Sequence, residues 1–197
     1  MAIEKLKLET VKTMEDFEAF IVQPENNDRR FEFINGKVIE KMPTQLHGWI
    51  VLFLGRFLLN YLDLNPIGSF FAEARYRLRD DDQHSYIPDI SFVRQERGPI
   101  LEEGPAPYMP DLAIEVQSPD DYPKEMREKA EYYLANGSRM VWLFFTGKRS
   151  RRIEVHRPNQ PVQTLNMDDI LDGGDVLPGF KVVVKALFPP DTGEKAK

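Results

Sequence analysis

Two acids stand where acids are expensive to keep. Asp89 lies in Tyr86-Ile87-Pro88-Asp89-Ile90-Ser91-Phe92-Val93, and Glu115 lies in Pro110-Asp111-Leu112-Ala113-Ile114-Glu115-Val116-Gln117-Ser118-Pro119. Both runs are apolar and rich in β-branched residues, so an ionised carboxylate inside them needs a positive group to compensate it. Glu115 lies 26 residues after Asp89, a spacing that suits adjacent strands, which would bring the carboxylates together. Acids that close repel, so one takes up a proton or both bind a cation. Mg²⁺, or Mn²⁺ in its place, is the expected ion, because Mg²⁺ prefers hard oxygen ligands and is anchored by one or two carboxylates. Water on such an ion becomes acidic enough to attack a phosphodiester, while the ion offsets charge on the phosphate. The residues leave one alternative open, a network of salt bridges around the same acids.

Further side chains fall into phase with this pair. Gln117 is two residues beyond Glu115 and is expected on the same face of the strand, where its amide would orient a water or a phosphate oxygen. Met126, Lys129, Ala130, Tyr133 and Leu134 share one stripe of the next helix, so Lys129 is expected on the buried side. There it either reaches the acids, positioning the water and stabilising developing charge, or snorkels to solvent. Glu32 alternates with Phe31 and Phe33, so it faces either solvent or a cleft. Glu73 is a further candidate acid, and His47 lies on the apolar face of a helix as a core or site histidine. Arg75, Arg77, Arg79 and the run Lys148-Arg149-Ser150-Arg151-Arg152 are cations that could touch phosphate, although such runs usually face solvent.

The elements that must position these residues are legible from patterning. Thr13 reads as the N-cap of a short helix ending near Ile21. Asn35-Gly36 between Phe31, Phe33, Val38 and Ile39 predicts a β-hairpin with a type I′ turn. Between Pro43 and Pro66, apolar residues at three-and-four spacing predict a long helix. Strands are expected over 70–78, 86–93 and 112–117, the first antiparallel to the second, with a Gly- and Pro-rich loop over 98–110. A helix over 123–136 stopped by Gly137, a buried strand over 139–145, and strands over 153–156, 162–165 and 181–184 complete the set. The order implies an α/β or α+β fold: a central mixed sheet flanked by helices, with an N-terminal helix and hairpin and C-terminal strands.

Composition narrows the context. The 197 residues, 42% hydrophobic and 29% charged, suffice for a single domain over 1–197, with its core over 13–188 and a tail over 189–197. The absence of cysteine removes disulfides, thiolate zinc sites and cysteine nucleophiles and suits a reducing cytosol. No apolar run has the length of a bilayer span or a secretory h-region, so a soluble, cytoplasmic protein is expected. A net charge of −6 argues against coating duplex DNA by bulk electrostatics, so any nucleic-acid contact must be local.

Taken in order, several segments resemble the Uma-two family of endonucleases: the hairpin over 31–38, His47, 87–93, 111–119, Lys129 with Tyr133, Ala135-Asn136-Gly137, Val141-Trp142-Leu143 and Leu177-Pro178-Gly179-Phe180. The similarity runs over residues 13–188. It implies a restriction-endonuclease-like core related to the PD-(D/E)xK nucleases and nucleic acid in general as substrate; beside it, DNA is the expected nucleic acid, Mg²⁺ or Mn²⁺ the expected cofactor and a homodimer the expected assembly. It makes Asp89 the motif aspartate and Glu115 the motif glutamate, the two metal ligands. Gln117 takes the place where the wider superfamily has its lysine, Lys129 looks like that lysine moved to the helix, and Glu32 resembles the acid before the core strands. Family members commonly read Glu-Val-Leu-Ser where this chain reads Glu115-Val116-Gln117-Ser118. The implied activity is Mg²⁺-dependent phosphodiester hydrolysis; the other reading is the same fold kept as an inactive interaction module.

Overall fold

Thr13 Oγ1 accepts the Asp16 N–H at 3.1 Å and the Asp16 carboxylate accepts the Thr13 N–H at 3.0 Å, a reciprocal cap that starts helix α1, Met14–Ile21. The computed structural model describes residues 10–148 and 150–190, so most of the expected tail, 191–197, lies outside the described residues. Helix α1 buries Phe17 and Phe20 against Phe33 and Phe31, with ring centroids 5.2 and 5.0 Å apart. Those two phenylalanines belong to strand β1, Phe31–Ile34, which turns through Asn35 (φ 51°) and Gly36 (φ 73°) into β2, Lys37–Glu40. Positive φ at both turn residues is the type I′ geometry that the Asn-Gly pair predicts. Strand β1 pairs on its other side with a short strand, His84–Ser85, to make a three-stranded sheet.

Helix α2, Gln45–Leu64, is capped by Thr44 and buries Ile50, Leu54 and Leu58. It covers one face of a six-stranded sheet built from β3 (Gly68–Ala72), β5 (Ile90–Arg94), β6 (Leu112–Val116), β7 (Met140–Phe145), β8 (Arg152–His156) and β9 (Gln163–Leu165), in that spatial order, the His84–Ser85 strand being β4. Among the described strands of this sheet only β6 and β7 run parallel, and their crossover is helix α3, Pro123–Ala135, on the opposite face. Alternation along β6 decides what each face receives. Leu112, Ile114 and Val116 join the core under α2, whereas Ala113 packs with Met126, Ala130 and Tyr133 of α3, which puts Glu115 on the α3 side. Two short strands, β10 (Ile170–Asp172) and β11 (Lys181–Val183), form a hairpin whose Leu171 and Val182 close the core under α2. The expected mixed sheet with helices on both faces is therefore the fold observed.

Two expected strands are shorter than the pattern suggests. The strand expected over 70–78 begins at Gly68 and ends at Ala72, because Glu73 adopts φ 51° and turns the chain out of the sheet. Beyond it, Tyr76 keeps single bridges to Tyr86 and to Ala106. The run expected over 86–93 is strand only from Ile90, since Pro88 has no N–H to give a ladder. The early exit at Glu73 and the late start at Ile90 leave an opening at one end of the sheet, and Asp89 stands at its edge.

Candidate active site

Strands β5 and β6 are antiparallel with Ile90 opposite Ile114, and Asp89 donates its N–H to the Ile114 carbonyl at 3.0 Å. That register sets Asp89 beside Glu115, and both are buried. Around them the fold gathers a third acid and two lysines. Glu32 comes from β1, Lys41 from the segment after β2, and Lys129 from α3, with His47 of α2 and Tyr133 of α3 completing the group.

Each carboxylate of the pair is anchored through one oxygen. Asp89 Oδ2 accepts the Val116 N–H at 2.7 Å and faces His47 Nε2 at 3.0 Å; a carboxylate only accepts, so the proton between them sits on Nε2. Glu115 Oε1 accepts the Tyr133 hydroxyl at 2.8 Å and Lys129 Nζ at 2.9 Å. The remaining oxygens, Asp89 Oδ1 and Glu115 Oε2, both face Lys41 Nζ, at 2.6 and 3.5 Å, and the same ammonium donates to the Ile87 carbonyl at 2.8 Å. Glu32 Oε1 accepts the Ile87 N–H at 2.7 Å and lies 2.8 Å from Lys129 Nζ, so this acid turns into the cleft rather than to solvent.

Burial and charge push the two central acids in opposite directions. Desolvation raises both, but at Asp89 the Lys41 ammonium and the His47 hydrogen bond outweigh it and hold the carboxyl well below the usual range. At Glu115 desolvation prevails over Lys129 and Lys41, aided by the nearby Asp89 and Glu32 charges, and the carboxyl is raised. Desolvation works against both ammoniums, yet the surrounding carboxylates keep Lys41 and Lys129 above the ordinary lysine value. Tyr133 is raised by burial and by the Glu115 and Glu32 charges, so its hydroxyl is a fixed donor.

Of the residues singled out from sequence, Asp89, Glu115, Lys129, Glu32 and His47 come together. Gln117 does not. Strand β6 ends at Val116, and the Gln117 amide is turned away to the Asp121 carbonyl at 3.1 Å and the Thr146 N–H at 3.3 Å, tying the loop after β6 to the end of β7. Glu73 lines the rim of the cleft, where its nearest cation is Arg30 at 3.5 Å. Arg75 and Arg77 both pair with Glu18 of α1, and Arg152 pairs with Glu154, so these cations serve local structure. Sequence reading passed over Lys41. Its signal was register: Glu32 opposes Ile39 and the Lys41 N–H bonds the Arg30 carbonyl, so Lys41 continues the Glu32 face of the hairpin.

Among the described residues no three His, Asp or Glu side chains form a ready-made metal cage. What converges instead is two carboxylate oxygens and a main-chain carbonyl on one point, three hard donors that an ammonium bridges. That donor set fits Mg²⁺ or Mn²⁺, ions that complete their shell with water and substrate oxygens.

A mixed sheet with helices on both faces, carrying one acid on a central strand, a second just before the neighbouring strand and a lysine on the crossover helix, is of the restriction-endonuclease-like class. The model of the Uma2 family, described as a putative restriction endonuclease, matches residues 14–185, and the chain belongs to that family. The chain is similar to a crystal structure of a putative nuclease belonging to DUF820 from Anabaena variabilis, at 27% identity with a TM-score of 0.74, over 89% of this chain and 97% of that one. Among curated proteins none matches. No helix among the described residues is long and apolar enough to cross a membrane.

Proposed function

We propose that this protein is a divalent-cation-dependent endonuclease that hydrolyses phosphodiester bonds of nucleic acid at the Asp89/Glu115 cleft. The observation that carries the reading is the meeting of Asp89 Oδ1 and Glu115 Oε2 at one cationic point, with Lys129 Nζ 2.9 Å from the other oxygen of Glu115. Mg²⁺ or Mn²⁺ would be held by Asp89, Glu115 and the Ile87 carbonyl, and when bound it supplies an acidified water and charge offset at the scissile phosphate.

The chain's own residues do the remainder. His47 and the Val116 N–H fix the Asp89 carboxylate through Oδ2, which leaves Oδ1 directed into the cleft. Tyr133 fixes Glu115 through Oε1, leaving Oε2 directed to the same point. Lys129, braced by Glu32, presents an ammonium at the edge of the site, where it orients the attacking water and stabilises negative charge as it develops on phosphate. Glu32 acts by holding Lys129 and the Ile87 main chain and stays clear of the reacting atoms. DNA is the first substrate to test.

Titration calorimetry with Mg²⁺ and Mn²⁺ is expected to show binding in wild type that Glu115→Ala abolishes, and absence of binding at millimolar ion would sink the proposal. Cleavage of mixed DNA and RNA by wild type should fall at least a hundredfold in Lys129→Ala, in line with the loss of one electrostatic stabiliser. A second reading, a nuclease fold retained for interaction, is favoured by one observation: every oxygen of the acid pair already faces a lysine, a histidine, a tyrosine or an amide. Metal binding without cleavage of either nucleic acid would support it.

A further inference from the structure

We propose that Lys41 is the resident counter-cation of the acid pair, and that a divalent ion gains the site only by displacing its ammonium. The inference rests on the metal-dependent reading above and concerns what controls occupancy of that site.

Asp89 Oδ2 and Glu115 Oε1 are consumed by groups that belong to the rigid frame: the Val116 N–H of β6, His47 of α2, and Tyr133 and Lys129 of α3. The two oxygens left over point at one place, and Lys41 Nζ fills it, at 2.6 Å from Asp89 Oδ1, 2.8 Å from the Ile87 carbonyl and 3.5 Å from Glu115 Oε2. An ammonium is a point charge with three donors and no preferred plane, so it satisfies the same three oxygens that a small hard cation would take. The two cannot share the point. A divalent ion bound to those oxygens would stand within contact distance of the Lys41 charge.

The lysines differ in what holds them. Lys129 rises from the middle of a helix and is clasped between Glu32 and Glu115, with the Tyr86 ring 5.6 Å away. Lys41 lies past the end of β2, in the irregular link to Thr44, and its side chain is 18% exposed against 13% for Lys129. Its four-carbon stem leaves the chain at that irregular link rather than from a helix, and of the carboxylates at the cleft rim Glu40 already pairs with Arg29, so Glu73, 3.5 Å from Arg30, is the one a displaced ammonium would meet. In this arrangement Lys41 offsets the repulsion between the two acids while no metal is bound, and lowers apparent metal affinity by the cost of moving it.

The test compares Mn²⁺ binding by calorimetry in wild type, Lys41→Met and Lys41→Arg. Removing the competing charge is expected to tighten Mn²⁺ binding about tenfold to a hundredfold in Lys41→Met, the scale on which one adjacent charge alters a carboxylate's affinity for a proton. Lys41→Arg, which keeps the charge and grips two oxygens at once, is expected to bind Mn²⁺ more weakly than wild type, and it stays informative if the Met variant fails to fold. In wild type, acetylation of Lys41 followed by mass spectrometry should rise with Mn²⁺ while Lys129 stays protected. Equal affinity in wild type and the variant that folds, or Lys41 labelling unmoved by bound Mn²⁺, would overturn the displacement and leave the metal reading standing. Absence of Mn²⁺ binding in all three proteins would overturn the metal reading itself, and this inference with it.

Discussion

Tyr133 stands one helical turn after Lys129, and the two reach the same oxygen of Glu115 from α3. A hydroxyl donating to a buried carboxylate is worth more than a neutral hydrogen bond, so Tyr133→Phe is expected to cost about 1.5–3 kcal/mol, read as a lower urea midpoint at unchanged slope. The acid response is better tested at Glu154, away from the cleft, where Arg127 donates to both carboxylate oxygens at 2.7 and 2.9 Å. Burial alone would raise this carboxyl, but Arg127 and then Arg152 hold it below the ordinary glutamate value. A depressed folded value means stability that is present above the unfolded pKa of about 4.3 and withdrawn as pH falls through the folded one. Glu154→Gln should therefore destabilise the protein at pH 7 by about 1 kcal/mol, discounted because Arg127 is half exposed, and should lose less than wild type between pH 5 and 3. Sequence exposed this level unevenly. Apolar runs betray a misplaced acid, which is why Asp89 and Glu115 stood out, and helical phase betrayed Lys129. Lys41 sits in a polar stretch where a lysine costs nothing locally, so only the tertiary placement of the hairpin beside Asp89 and Glu115 gives it meaning.

At the scale of elements, β3 can lie against β5 only because Gly68 has no side chain. A Cβ there would come within 2.3 Å of the Val93 carbonyl oxygen and 2.6 Å of the Phe92 ring, both fixed in a packed strand. Gly68→Ala is expected to cost about 1–3 kcal/mol through overpacking, seen as a fall in thermal midpoint with the fold retained by circular dichroism. Elements with strong local signals were legible: the Thr13 N-cap of α1, the Asn35-Gly36 turn, the amphipathic α2, and the Gly137 stop of α3 (φ 104°) all appear where patterning put them. The failures share a cause. Strand β4 is two residues long and exists only because β1 offers an edge, while β10 lies in a polar stretch whose one buried residue, Leu171, is packed by the C-terminal hairpin. Glu73 shows the converse, since alternation from Ala72 to Leu78 continues unbroken while a left-handed residue ends the strand. The same lesson holds for Gln117: period-two phase carried it to the Glu115 face, but the strand had already ended and its amide serves the loop.

For the whole molecule, the cleft is the joint between the three-stranded and the six-stranded sheet. The three-stranded sheet contributes Glu32 and leads into Lys41, the six-stranded sheet contributes Glu115 and, at its edge, Asp89, and helices from opposite faces send in His47 and Lys129. Three carboxylates against two ammoniums, all largely withdrawn from water, make the site a source of strain that stays stable only while each charge has its partner. Removing one lysine should therefore destabilise the whole fold as well as the chemistry. Lys129→Met leaves Glu32 and Glu115 buried without their shared cation and is expected to cost about 3–5 kcal/mol, a large share of the stability of a domain this size. Glu115→Gln alone removes an acid whose carboxyl is already raised, and should cost far less. The double variant, Lys129→Met with Glu115→Gln, is expected to be more stable than Lys129→Met alone, because one of the two orphaned carboxylates has gone with its partner. Urea denaturation of wild type, the two single variants and the double gives the coupling directly. A coupling near zero would mean that Lys129 is bound to Glu32 and solvent rather than to the acid pair. A large coupling would mean that one ammonium on α3 both seats the acid and clasps the two sheets, so that tuning this site for chemistry also sets the stability of the molecule.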